Sequence, residues 1–136
     1  MSGAVDCRAA LEARLAAIAS PLATQWENVD YEPIADTPYQ TVALLLALPN
    51  NPEAGGTFYQ ESGFLQVDLR YPRKAGAGAA TAKAEAVRSW FPKGLTLTAN
   101  GLNVTIDRTP AILPGFFEAD RFVIPVRISF YSNNPS

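Results

Sequence analysis

Chemistry needs side chains that hold a proton, an electron pair or a metal, and this chain of 136 residues offers few of them. It has no histidine and a single cysteine. That removes Ser-His and Cys-His pairs, histidine-based zinc sites and a histidine general base. Cys7 has no internal disulfide partner and stands at helical spacing from Leu11, which predicts a buried, inert thiol. Glu61 with Asp68, and Asp107 with Glu118, are the carboxylate pairs that acid-base work would draw on. Their spacing carries no signal, and solvated surface is the expectation. Gly76 and Gly78, near Arg73, Lys74 and Lys83, lie where a phosphate loop would lie between strand and helix. The Gly-Lys-Ser/Thr ending is missing, and Thr81 stands where a dinucleotide loop has its third glycine, so a flexible connection is expected instead. Asn103-Val104-Thr105 matches a glycosylation acceptor, but inside a predicted strand. These residues predict no enzyme, no cofactor and no metal, and a protein that works through its surfaces.

Charge supports that reading. A net charge of −2 does not suit a protein that coats nucleic acid, and no sequence-specific nucleic-acid partner is expected. The distribution is uneven. No basic residue occurs between Arg14 and Arg70, while Glu27, Asp30, Glu32, Asp36, Glu53, Glu61 and Asp68 do. Arg70, Arg73, Lys74, Lys83, Arg88 and Lys93 then follow with only Glu85 among them. Either the two runs neutralise each other within one fold, or the molecule has an acidic and a basic side suited to head-to-tail self-association. The longest apolar run, TVALLLAL, has strand length, far from the ~20 residues of a membrane helix, so no membrane partner is expected. The N-terminus lacks the order of a signal peptide, which predicts an intracellular protein.

The elements that must position these surfaces read as one α+β domain over 1–136. Ser2 can cap a first helix with Asp6 in its first turn, an apolar stripe of Val5, Leu11, Leu15, Ile18 and Leu22, and a stop near Ser20-Pro21. Gln25 to Val29 is a short strand with Trp26 inward, and Tyr31 to Tyr39 an extended connection. Thr41 to Leu48 is a central strand covered on both sides, with a buried helix as the alternative that Pro49 disfavours. Residues 49–63 form a long loop, either an arm that orders against a partner or a mobile surface loop. Leu65, Val67, Leu69 and Tyr71 alternate as the inward face of a strand. Ala80, Ala84, Val87 and Phe91 then lie on one helical stripe. Asn100-Gly101 demands a two-residue turn that pairs Ala99 with Leu102, Leu97 with Val104 and Leu95 with Ile106. Thr109 to Asp120 is a loop carrying the exposed aromatics Phe116 and Phe117. Arg121 to Tyr131 is a final strand, made an edge or bulged by Pro125. Residues 132–136 are expected to be disordered. The sum is a mostly antiparallel or mixed sheet of about five strands with two helices on one face.

In their order, the N-terminal helix, TPYQTVALLLALPNNPEAGG, SGFLQVDLRYPRKAGAGAATAKAEAVRSWFPKG, the Asn100-Gly101 turn and RFVIPVRISFY resemble phage and prophage proteins related to the lambda-type tail terminators. The most specific part is the G-x-x-Q-V-D-x-x-Y-P-x-x-x-G run from Gly63 to Gly76, followed by an alanine-rich helix that ends in Trp90-Phe91. The resemblance implies an α+β virion structural protein at the end of the tail tube. There, copies would form a ring, commonly a hexamer, that ends tube polymerisation and offers a surface for head-tail joining. It implies as partners further copies of the chain (a monomer in isolation is compatible), the tail tube protein and a head-tail connector, and as location the virion tail, with assembly in the host cytoplasm. It supplies no active site. The candidate interface residues are Glu53, Phe58, Tyr59, Glu61, Arg70, Arg73, Lys74, Phe116 and Phe117. Another neck protein or a small-molecule-binding module, its cavity between Thr41–Leu48 and the helices, is the alternative.

Overall fold

The computed structural model describes residues 3–49 and 58–135. The elements run α1 (Gly3–Ala16), β1 (Ala23–Gln25), β2 (Tyr39–Leu46), β3 (Phe58–Pro72), α2 (Gly78–Trp90), β4 (Thr96–Ala99), β5 (Leu102–Ile106), β6 (Ala111–Ile112), β7 (Phe116–Glu118) and β8 (Arg121–Pro135). The fold is α+β, with an eight-stranded mixed sheet in place of the five strands expected. Its order is β1-β2-β3-β8-β5-β4, with β6 and β7 also paired to β8. The additional strands are short ones that capture little periodicity, and β1 is parallel to β2 where all other pairs are antiparallel.

The long β3 and β8 are the frame. They pair from Phe58 opposite Pro135 to Pro72 opposite Arg121. Directly opposed residues share a face, so Leu65, Val67 and Leu69 join Ile128, Val126 and Ile124 on one side. The helices cover that side. Ala80, Ala84 and Val87 of α2 and Phe91 at its C-cap are fully buried, as their spacing requires, together with Cys7, Leu11 and Leu15 of α1. Val5 departs from the expected stripe and is exposed, while Asp6 turns inward. The two helices lock across Arg14 and Trp90. The Arg14 guanidinium lies 3.7 Å from the indole centre and donates to the Trp90 carbonyl, while Trp90 Nε1 donates to the Arg14 carbonyl at 2.6 Å. The β4–β5 hairpin has the predicted register, with Asn100 and Gly101 at φ of 51° and 81°.

Four other expectations need correction. β2 is not a central covered strand, since β1 pairs only with its first three residues and Leu45 and Leu46 are exposed. β3 begins at Phe58, so residues 58–63 are strand and not loop. What precedes them, 50–57, lies outside the described residues. β8 continues through Ser132 and Asn133, paired with Glu61 and Gln60, where a disordered tail is expected; low apolar content there hid a strand held by its partner. Pro125 sits in an internal strand. Its ring nitrogen falls in the gap between β6 and β7, where its carbonyl accepts from Leu113 N–H at 2.9 Å, so no ladder donor is missed.

Candidate functional site

Two opposite margins of the sheet carry exposed apolar side chains and unlike charge. The first is the outer edge of β2. Among the described residues no strand lies beside it beyond Thr41, and its Leu44 N–H donates instead to Glu27 Oε1 at 3.0 Å. Arg8 donates to the same oxygen at 2.8 Å and reaches Glu12 at 3.3 Å. The Leu44 N–H, and after it Arg8, hold the Glu27 carboxyl below the usual carboxylate range. Tyr31 stacks on Tyr39 with ring centres 5.3 Å apart. The segment between Glu27 and Tyr31 is therefore pinned at both ends along this edge, presenting Val29 and Asp30. Past the strand Leu48 is 90% exposed, and Val5 of α1 adds to the same side beside Leu44 and Leu46.

The second margin is β7 with the turn that leads into α2. Phe116 is exposed, and Phe117 is 63% exposed. The Arg73 guanidinium lies 4.2 Å from the Phe117 ring centre and donates to the Ala119 carbonyl at 3.2 Å. Phe117 packs at a tilt on Phe122, 5.5 Å between centres. Pro72, Lys74, Gly76, Ala77, Phe117 and Phe122 line a groove of about 270 Å³. Asp120 also lies here, 3.9 Å from Arg121. Among the described residues, the ion pairs that join the acidic and basic runs reduce to Asp68 with Arg70 at 3.6 Å. Among the described residues the two runs make no other ion pair with each other.

The nine candidate residues are thus scattered. Arg73, Lys74, Phe116 and Phe117 come together on the second margin. Arg70 is half-buried and already bonded to Thr41, Asp68 and Glu118. Tyr59 is half-buried on β3, Phe58 starts that strand, and Glu53 lies outside the described residues. Glu61 is not on an arm. It is 7% exposed, opposite Ser132 and near Cys7 and Asp6. Burial pushes the Cys7 thiol up from 9.0 to about 11, with Glu61 and Asp6 adding to the rise and a Ser132 hydrogen bond opposing it. Glu61 and Asp68 are an odd number of positions apart on one strand and so point to opposite faces, which rules them out as a catalytic pair. Among the described residues no His, Cys, Asp and Glu group could hold a metal.

Sequence reasoning missed Arg121. It is 4% exposed, donates to the carbonyls of Thr37 and Ile34, and lies 4.9 Å from the Tyr39 ring centre. It straps the connection before β2 to the sheet face opposite the helices. A lone arginine at a strand start carries no signal of this. The alternation of β8 only places it on that face.

Four solved chains match this one, among them a structure with a TM-score of 0.76 and 23% identity over 95% of this chain and 94% of the other. At that identity the likeness is one of fold. Among curated proteins no match is found. The profile of the family described as phage tail terminator protein matches residues 6–130, nearly the whole chain. That span takes in most of α1, all of α2 and β3, and β8 as far as Phe130. The chain belongs to the phage tail terminator family, a structural family of the virion tail whose members associate with other tail components.

Proposed function

We propose that this protein terminates the tail tube as a ring, with six copies as the working stoichiometry, built by head-to-tail contacts between unlike margins of neighbouring subunits. The ring ends tube polymerisation and offers its far side to the head connector. Assembly takes place in the host cytoplasm, and the isolated chain can be a monomer until a tube end presents itself. The observation that carries this reading is the pair of exposed apolar margins on opposite edges of one sheet, the first acidic and the second basic. Surfaces that differ this way cannot satisfy each other within one copy. Heterologous contacts of this kind close into rings when their rotation closes. Exposed apolar patches of this sort mark protein contacts, and unlike charge sets the register of approach.

Negative-stain electron microscopy of the protein, alone and mixed with purified tail tubes, tests the reading. Rings, or capped tubes of uniform length, are the expected result. A strictly monomeric protein that leaves tube ends bare and tube lengths unregulated would overturn it.

A further inference from the structure

The structure points to a specific contact between copies, which rests on the ring reading and goes beyond it: we infer that the groove between β7 and the start of α2 receives the β2 edge of the next subunit. The groove has an aromatic floor of Phe117 and Phe122, a wall of Pro72 and Ala77, and cations at its rim in Lys74 and Arg73. Lys74 has no carboxylate within ion-pairing distance among the described residues, and Arg73 is bonded only to a carbonyl and a ring. An occupant of matching chemistry is an edge with a protruding apolar end and unpaired acids along its length. The other margin of the same chain has these properties. Leu48 stands clear of the end of β2 with Leu46 exposed near it. Farther back along the same edge, where Tyr31 stacks on Tyr39, Val29 is exposed and Asp30 and Glu32 have no ion pair among the described residues. Arg8, the cation on that margin, is consumed by Glu12 and Glu27.

The two surfaces cannot meet within one molecule. β2 and β7 lie on opposite sides of the β3–β8 pair. Leu46 is opposite Gly63 at one end of the frame and Phe117 is opposite Phe122 at the other. The intervening stretch of β3, from Gly63 to Pro72, is roughly 30 Å long at ~3.3 Å per residue. The occupant is therefore a second copy, and any open chain of such contacts keeps a free groove at one end and a free edge at the other.

Asymmetry of this kind is testable by mixing. Leu48→Asp removes the apolar knob and Phe117→Asp spoils the groove. Each variant alone should associate about tenfold or more weakly than the wild type in sedimentation velocity, the loss expected for a packed anchor. Mixed, they should form a dimer and nothing larger, because the intact groove of one takes the intact edge of the other. Variants that assemble like the wild type, or a mixture that stays monomeric where the wild type assembles, overturn the contact and leave the ring standing. A photo-crosslinker (p-benzoylphenylalanine) at position 117 of the otherwise unaltered chain covers the case of a misfolded variant. Crosslinks to residues 44–49 or 29–32 of another copy, in solution or on tube ends, are expected. Crosslinks confined to other regions overturn the contact. A chain that is monomeric in both settings overturns the ring, and the contact with it.

Discussion

A guanidinium withdrawn from water needs partners for its donors, and Arg121 finds them in two backbone carbonyls of the segment before β2 and in the Tyr39 ring. Arg121→Ala should cost about 1–3 kcal/mol in urea unfolding, since it deletes charge-assisted hydrogen bonds to the Ile34 and Thr37 carbonyls and the ring contact with Tyr39. Arg121→Lys should recover only part of that, lacking the planar fork. Cys7 sets an alkaline limit. Its folded pKa is raised from 9.0 to about 11, so above pH 9 the unfolded chain releases a proton that the folded chain keeps. Stability is then full below 9 and lost as pH rises towards 11, by on the order of 2–3 kcal/mol. Tyr71, raised by burial, acts in the same direction. Comparing denaturant midpoints of the wild type and Cys7→Ala across this window isolates the thiol, and a thiol reagent should label the native protein only as fast as the chain opens.

Among elements, legibility followed periodicity and turn chemistry. Val67 and Val87 advertise their faces through alternation and helical spacing, and Asn100-Gly101 dictates a register that the fold adopts. The end of β8 was illegible because Ser132 and Asn133 carry no apolar signal and become strand only by bonding to β3. The two-residue β6 and three-residue β7 are apolar but too short to show a period, and Glu61, on the unpredicted start of β3, is buried where an arm is expected. Of the candidate site, the exposed aromatics and the Arg73-Lys74 turn could be read. The free edge of β2 could not, because pairing order is a property of the whole sheet. Two glycines test the local account. An added Cβ at Gly63 would lie 2.1 Å from the Leu45 carbonyl oxygen, so Gly63→Ala must push β2 and β3 apart and should cost about 2–3 kcal/mol. Gly101→Val, at φ 81°, should cost about 1–3 kcal/mol through backbone strain. Thermal melts of the two variants beside Gly78→Ala, where a Cβ meets open space, give the comparison.

For the whole molecule, the separation of charge between margins makes association a function of ionic strength. Reversing one margin with Lys74→Glu should weaken assembly on tube ends, and Asp30→Lys in the same chain should restore part of it. Both effects should fade as salt rises from about 0.05 to about 0.5 M, because exposed charges are then screened within a few ångströms. Burial of the leucines and phenylalanines is less sensitive to salt, so binding should weaken without vanishing. A response of this form separates steering by charge from holding by apolar contact.

The Glu27 carboxylate that occupies the Leu44 N–H also bears on how the protein keeps in solution. A bare strand margin is a template on which any extended peptide can zip, the first step toward fibrils. Here a side chain from the same molecule plugs that template at its middle, and Arg8 keeps the plug in place. Because the Glu27 carboxyl stays ionised to below the ordinary range, the plug persists through neutral and mildly acidic conditions and is lost only as pH falls further. Glu27→Ala should therefore shorten the lag of thioflavin-positive deposits at neutral pH, and wild-type protein should do the same in strong acid, where the safeguard against amyloid-like stacking is gone.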